Sequence, residues 1–216
     1  MSGSVTEFRS ETAGLPAVDG YLHRPEGSAR GALALAHGAG SDSNAPLLRA
    51  MAEAFSAEGL LVLRCNLPFR QLRPKGPPSP GTGAADRLGL KHAVQALGRL
   101  GPGPVFLGGH SYGGRQAAML AADEAELADG LLLLSYPLHP PERRAQLRTQ
   151  HFPRLATPAL FVHGTRDPFG TIEEMRAALS LIPCRNSLTP VENAAHDLGG
   201  RKAAPAALAA FHKFFR

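Results

Sequence analysis

Pro104-Val105-Phe106-Leu107-Gly108-Gly109-His110-Ser111-Tyr112-Gly113-Gly114 says more about the fold than any other stretch of this 216-residue chain. An apolar run ends at a serine that has glycine two places before it and two places after it, and Gly114 to Ala122 then continues as a small-residue, helix-forming segment. Strand, abrupt turn and helix in this order make a nucleophile elbow, in which a strained turn lifts the serine hydroxyl clear of the backbone. Bulky side chains at the flanking positions would block the turn, and Gly109 and Gly113 have none. In a chain with 24 glycines the five-residue pattern carries little weight alone, so its surroundings must supply the specificity.

Outward from the elbow, apolar runs alternate with helix-like segments, the mark of an α/β chain with a mainly parallel sheet covered on both faces. Val5 to Phe8 and Gly20 to His23 read as short strands forming an antiparallel entry to that sheet. Ala32 to Ala36 reads as a buried strand, Leu47, Leu48, Met51 and Phe55 as a helix stopping at Gly59, and Leu60 to Leu63 as the start of the next strand. Pro68 to Gly83, rich in proline and glycine, is expected to be an irregular surface excursion bordering a cleft. A helix is expected over Ala85 to Leu100, then the strand before Ser111, the helix after it and a strand over Gly130 to Ser135. Pro140 to Leu155 is expected to hold one short helical connection, too little for a cap. Ala159 to Val162 reads as a strand, Thr171 to Leu181 as a helix with Thr171 and Glu174 spaced as a capping box, and Leu188 to Val191 as the last strand. Leu208, Phe211 and Phe215 form the apolar stripe of a closing C-terminal helix. No internal repeat and no second domain is visible, so residues 1–216 read as one domain.

A serine hydroxyl is a weak nucleophile at neutral pH, and acyl transfer needs a histidine to take its proton and a carboxylate to orient that histidine. Asp167 follows the Ala159 strand in His163-Gly164-Thr165-Arg166-Asp167, and His196 follows the last strand in Ala195-His196-Asp197. Parallel strands would deliver Ser111, Asp167 and His196 to one edge of the sheet. Asp197 is the competing carboxylate, but adjacency to His196 makes a side chain-to-ring hydrogen bond awkward, so Asp167 is the expected partner. His37-Gly38-Ala39-Gly40 follows the Ala32 strand, and the N–H groups of Ala39 and Tyr112 are the expected oxyanion hole for the tetrahedral intermediate. His37, His110 and His163 read as packed, hydrogen-bonded support rather than reacting groups. Phe69, Tyr136, His139 and Phe169 stand on loops at the same sheet edge and are candidate substrate-binding residues.

These segments, together with Ser135-Tyr136-Pro137-Leu138-His139, resemble the α/β-hydrolases over roughly residues 30 to 215. The likeness is to the small cap-less group that includes dienelactone hydrolases and the testis-expressed and nonspecific-lethal-complex hydrolase-like proteins. It implies the α/β-hydrolase fold and a serine esterase, with a thioesterase as a variant, acting on small or accessible acyl esters through Ser111, His196 and Asp167 without a cofactor. Dienelactone hydrolases proper use cysteine where this chain has Ser111, so lactone specificity does not carry over. The alternative reading is a catalytically weak binding or scaffold module, since some relatives in this group serve in complexes.

Composition narrows the partners. A net charge of +5 is spread along the chain without an aromatic stacking platform, so nucleic acid is not expected, and Arg143, Arg144, Arg148 and Arg154 read as a solvated helical face. No stretch is long and apolar enough for a membrane span, and Met1 to Ser10 lacks the apolar core of a signal peptide, so a cytoplasmic enzyme is expected. Cys65 and Cys184 read as reduced thiols, with Cys65 buried, and the nine histidines lack metal-site spacing. The partner expected from the serine-hydrolase reading is a small-molecule acyl substrate, and the sequence does not disclose the oligomeric state.

Overall fold

The structure is a computed structural model and describes residues 3–215. Four largely apolar strands sit wholly or almost wholly inside it: β3 (Ala32–Ala36), β5 (Val105–His110), β6 (Gly130–Leu134) and β7 (Ala159–Gly164). Each is a nearly continuous apolar run because helices cover both of its faces. With β1 (Val5–Ser10), β2 (Val18–His23), β4 (Leu61–Asn66) and β8 (Asn186–Val191) they form one sheet in the order β1-β2-β4-β3-β5-β6-β7-β8. The β1–β2 and β2–β4 pairings are antiparallel, and every other pairing is parallel.

Side chains alternate between two cores. Leu33, Leu35, Val62, Phe106, Leu132 and Leu160 face α1 (Pro46–Ala57) and α6 (Ala204–Phe215), which supply Leu48, Met51, Phe55 and Phe211. Ala34, Leu63, Leu107, Leu133 and Phe161 face α3 (Gly83–Gly98), α4 (Tyr112–Asp123) and α5 (Ile172–Leu179), which supply Leu90, Leu97, Ala117, Ala121 and Met175. Burying each of the larger aliphatic side chains contributes about 1.5–3 kcal/mol. The expected capping box starts α5: Thr171 Oγ1 accepts the Glu174 N–H at 3.1 Å, and Glu174 Oε2 accepts the Thr171 N–H at 2.7 Å.

From β3 the chain crosses first to β4 on one side and then to β5 on the other, so a crevice opens between β3 and β5 at their carboxyl ends. That reversal determines where the site lies.

Two expectations are corrected. Pro68–Leu72 forms a short helix, α2, inside the segment expected to be wholly irregular. Pro68 supplies the fixed φ suited to a first turn, and Asp86 on α3 accepts the Phe69 N–H at 3.0 Å. Pro140 to Leu155 forms turns and a single 3-10 turn at Phe152–Arg154 rather than a helix carrying four arginines on one face. Arg148 folds back there, its N–H donating to the Leu138 carbonyl and its carbonyl accepting the Tyr136 hydroxyl. Among the described residues no cap lies above the sheet edge.

Candidate active site

The elbow is as tight as its glycines imply. Ser111 sits at φ 52°, ψ −114°, a conformation that costs a side-chain-bearing residue about 1–3 kcal/mol, and its N–H donates to the Leu134 carbonyl at 2.8 Å. A Cβ at Gly109 would lie 2.6 Å from the Ala36 carbonyl oxygen, and one at Gly113 would lie 2.6 Å from that of His37. The end of β3 therefore touches the start of α4 backbone to backbone, which places residues 37 to 39 beside the serine.

Ser111, His196 and Asp167 converge. His196 Nε2 is 2.8 Å from Ser111 Oγ, and His196 Nδ1 lies 2.8 and 3.0 Å from the two Asp167 carboxylate oxygens. A carboxylate only accepts, so it fixes the proton on Nδ1 and leaves the Nε2 lone pair facing the hydroxyl. The Asp167 side chain is wholly buried. Burial alone would raise its pKa, but the hydrogen bond and charge of His196, the Phe169 N–H at 2.9 Å and nearby His163 together hold it below the usual carboxylate range. The Phe169 ring lies over His196, centroids 4.2 Å apart and planes at 32°. From the other side His110 Nε2–H donates to the His196 carbonyl at 2.8 Å. Burial pushes the His110 pKa down to about 4, so this histidine is neutral and acts as a tether.

The loop after β3 is held from below. His37 is fully buried; its Nδ1–H donates to the Gly38 carbonyl at 2.8 Å, and its Nε2 accepts the Leu67 N–H at 3.1 Å. Burial lowers its pKa to about 4. Arg70 on α2, itself buried, donates to the carbonyls of Ala39, Ser41, Arg73 and Gly76 at 2.9 to 3.0 Å. Tyr112 opens α4, so its N–H has no acceptor within its own helix and stands at the positive end of the helix dipole. Asp86 fixes its side chain by accepting the hydroxyl at 2.6 Å.

The four candidate substrate-binding residues separate. Phe169 stands at the site, stacked on the imidazole. Phe69 is buried edge-on to both Tyr112 and His37, behind the site rather than lining it. Tyr136 is wholly enclosed, and its hydroxyl donates to the Arg148 carbonyl at 2.6 Å. His139 is equally enclosed; its Nδ1 meets the Pro140 carbonyl and its Nε2 lies 3.3 Å from Glu174. Neither turns to the serine: both tie down the loop beyond β6. Asp86 and Arg70, absent from the sequence-based set, support the site from behind, and nothing in their local sequence distinguishes them from surface charges. Among the described residues no group of three or more His, Cys, Asp or Glu side chains is placed to hold a metal ion, and no helix is long and apolar enough to cross a membrane.

Several solved structures share the fold. Dienelactone hydrolase from Anabaena variabilis superposes with a TM-score of 0.74 at 23% identity, covering 98% of this chain and 99% of that one. Est1E from Butyrivibrio proteoclasticus, solved with ferulic acid bound, gives 0.78 at 17% identity over 96% and 99%. XC6422 from Xanthomonas campestris, described as a serine hydrolase without a lid, gives 0.73 at 15% identity over 98% and 94%. The sequence model of the alpha/beta hydrolase domain matches residues 29–212, so the chain belongs to the α/β-hydrolase family.

Proposed function

We propose that this protein is a serine hydrolase of small or accessible acyl esters, acting as one domain through Ser111, His196 and Asp167. The observation that carries the reading is the linear chain of contacts from buried carboxylate through imidazole to the hydroxyl of a strained serine, at 2.8 Å on each side of the ring. His196 takes the Ser111 proton as Oγ attacks the carbonyl carbon. The N–H groups of Ala39 and Tyr112 receive the negative charge on the carbonyl oxygen; each such donor lowers the barrier by about 3 kcal/mol. His196 then protonates the leaving alkoxide and activates the water that frees the acyl group. Thioesters are accommodated by the same chemistry, because the leaving thiolate needs less help from the acid.

A scaffold would have no use for a serine kept strained beside an oriented imidazole, so the geometry favours the enzyme over the binding module. A fluorophosphonate probe tests this. Stoichiometric labelling of the native chain, abolished in Ser111→Ala, is the expected result; folded protein that resists the probe would overturn it.

A further inference from the structure

A second imidazole lies against the acid of the triad and takes no part in the reaction as described. His163 is the last residue but one of β7, its ring wholly buried, and its Nε2 is 2.8 Å from the Gly170 carbonyl oxygen and 3.7 Å from Asp167 Oδ2. A carbonyl only accepts, so the ring proton is on Nε2. Burial lowers the His163 pKa, which leaves the ring neutral at neutral pH and Nδ1 a bare lone pair. Among the described residues that nitrogen, also buried, has no hydrogen-bond partner. A buried acceptor left unmatched opposes folding, so packing alone favours phenylalanine at this position. What the histidine adds is the Nε2–H.

That N–H spans the loop that carries Asp167. The near end of the loop needs no side chain to hold it: a Cβ on Gly164 would collide with the Ala194 carbonyl, the Thr165 N–H donates to the Val191 carbonyl at 3.0 Å, and the Arg166 N–H donates to the Ala194 carbonyl at 2.9 Å. This end is fixed to the segment that leads to His196. The backbone holds the far end less tightly. Within the loop the Asp167 N–H reaches the Gly164 carbonyl at 3.2 Å and the Gly170 N–H reaches the Asp167 carbonyl at 3.4 Å, both long, and from outside the His139 N–H meets the Phe169 carbonyl at 3.1 Å. The bond from His163 is shorter than any of these, and it lies in the interior, where a hydrogen bond is stronger than in water. Between the two ends stand Asp167, which orients the His196 imidazole, and Phe169, which lies over it.

We infer that His163 is a positioning residue: by donating to the Gly170 carbonyl it closes the acid loop and holds both Asp167 oxygens on His196 Nδ1. This rests on the hydrolase reading of Ser111 and adds a residue to its machinery. The carboxylate meets Nδ1 at 2.8 and 3.0 Å, which leaves little room for drift, and a misplacement of about 1 Å costs about 100-fold in rate.

Three variants test it. His163→Phe keeps an aromatic ring in the core and removes the N–H, His163→Gln carries an amide N–H to the place of Nε2, and the shorter His163→Asn reaches only as far as Nδ1. With 4-nitrophenyl butyrate, and counting only sites that a fluorophosphonate labels, kcat should fall about tenfold to 100-fold in His163→Phe and in His163→Asn. KM should stay within about twofold, and His163→Gln should return kcat to within about threefold of the native value. The second readout is the downfield proton NMR signal of His196 Nδ1–H in its bond to Asp167, identified by its loss in Asp167→Asn. It should persist in His163→Gln and vanish or broaden in the other two, whereas a histidine that merely fills space would leave both kcat per labelled site and this signal unchanged. Unchanged kcat and signal in His163→Phe overturn the positioning role and leave the hydrolase standing. A native chain that turns over no ester, but whose signal depends on residue 163 in this pattern, keeps the positioning role and removes the hydrolase; a native chain with neither turnover nor signal removes both. If His163→Phe does not fold, the comparison of His163→Asn with His163→Gln decides, since the two differ in reach alone, and equal kcat in that pair overturns the proposal.

Discussion

Asp167 differs from asparagine by one atom, and that atom decides which imidazole nitrogen holds the proton. In Asp167→Asn the new amide would donate to His196 Nδ1 and move the ring proton to Nε2, where it faces Ser111 Oγ and prevents proton uptake. Turnover of a 4-nitrophenyl ester should drop by about 10⁴ with the circular dichroism spectrum unchanged; a drop below tenfold would show that His196 does not depend on this carboxylate. Gly113 is a second single-atom case. Its absent Cβ is what lets the His37 carbonyl approach, so Gly113→Ala should cost about 1–3 kcal/mol in urea denaturation and lower activity with it. Gly40→Ala, at a position where an added Cβ meets nothing within 4 Å, should leave stability within about 0.5 kcal/mol.

Among the elements, β8 is one of the two strands, with β1, that end the sheet and leave an open edge. The Thr165 N–H takes the Val191 carbonyl and the Ala159 N–H takes that of Arg185, so the odd-numbered residues of β8 face β7 and the even-numbered ones face outward. Pro190 is thus on the outer side, where its missing N–H costs no hydrogen bond within the sheet and removes a donor from an otherwise ready pairing surface. Pro190→Val should raise self-association, seen as a shift to larger species in sedimentation velocity; an unchanged monomer fraction at high concentration would dismiss this role. The interior strands could be read from sequence because β3, β5, β6 and β7 are buried on both faces and so are written as unbroken apolar runs. Helix α2 could not be, since what holds Pro68–Leu72 is an acceptor on Asp86, contributed by a different helix. The arginine-bearing connection misled for a related reason: Arg143, Arg144, Arg148 and Arg154 have helical spacing, but Tyr136 and Pro137 take up Arg148 and bend the chain.

Over the whole molecule, burial has stored several imidazoles in their neutral form. His23, His37, His110 and His151 all have pKa values lowered to about 4, with burial the first cause in each. His23 also accepts a hydrogen bond from buried Arg64 at 2.8 Å, which protonation would forbid. Between about pH 6.5 and 4 the unfolded chain holds these protons and the folded chain does not, so stability must fall as pH falls through that window. For the wholly buried His37 alone the loss approaches about 3 kcal/mol by pH 4. Melting temperature should decline steadily below pH 6.5, with proton uptake on unfolding; a constant value from pH 7 to 5 would contradict it. Ser111, Asp167 and His196 were legible because each follows a recognisable strand, and the order of strands fixes where their ends meet. Arg70, Asp86 and the acceptors they meet were not, because partners brought together only by the folded sheet leave no mark in a local window. The Arg70 guanidinium, clasping the carbonyls of Ala39 and Ser41 with one side and those of Arg73 and Gly76 with the other, makes the proline-rich rim and the backbone loop beside Ser111 a single mechanical part. The rim therefore works as a fixed jaw, unable to swing aside without carrying the backbone beside Ser111 along with it.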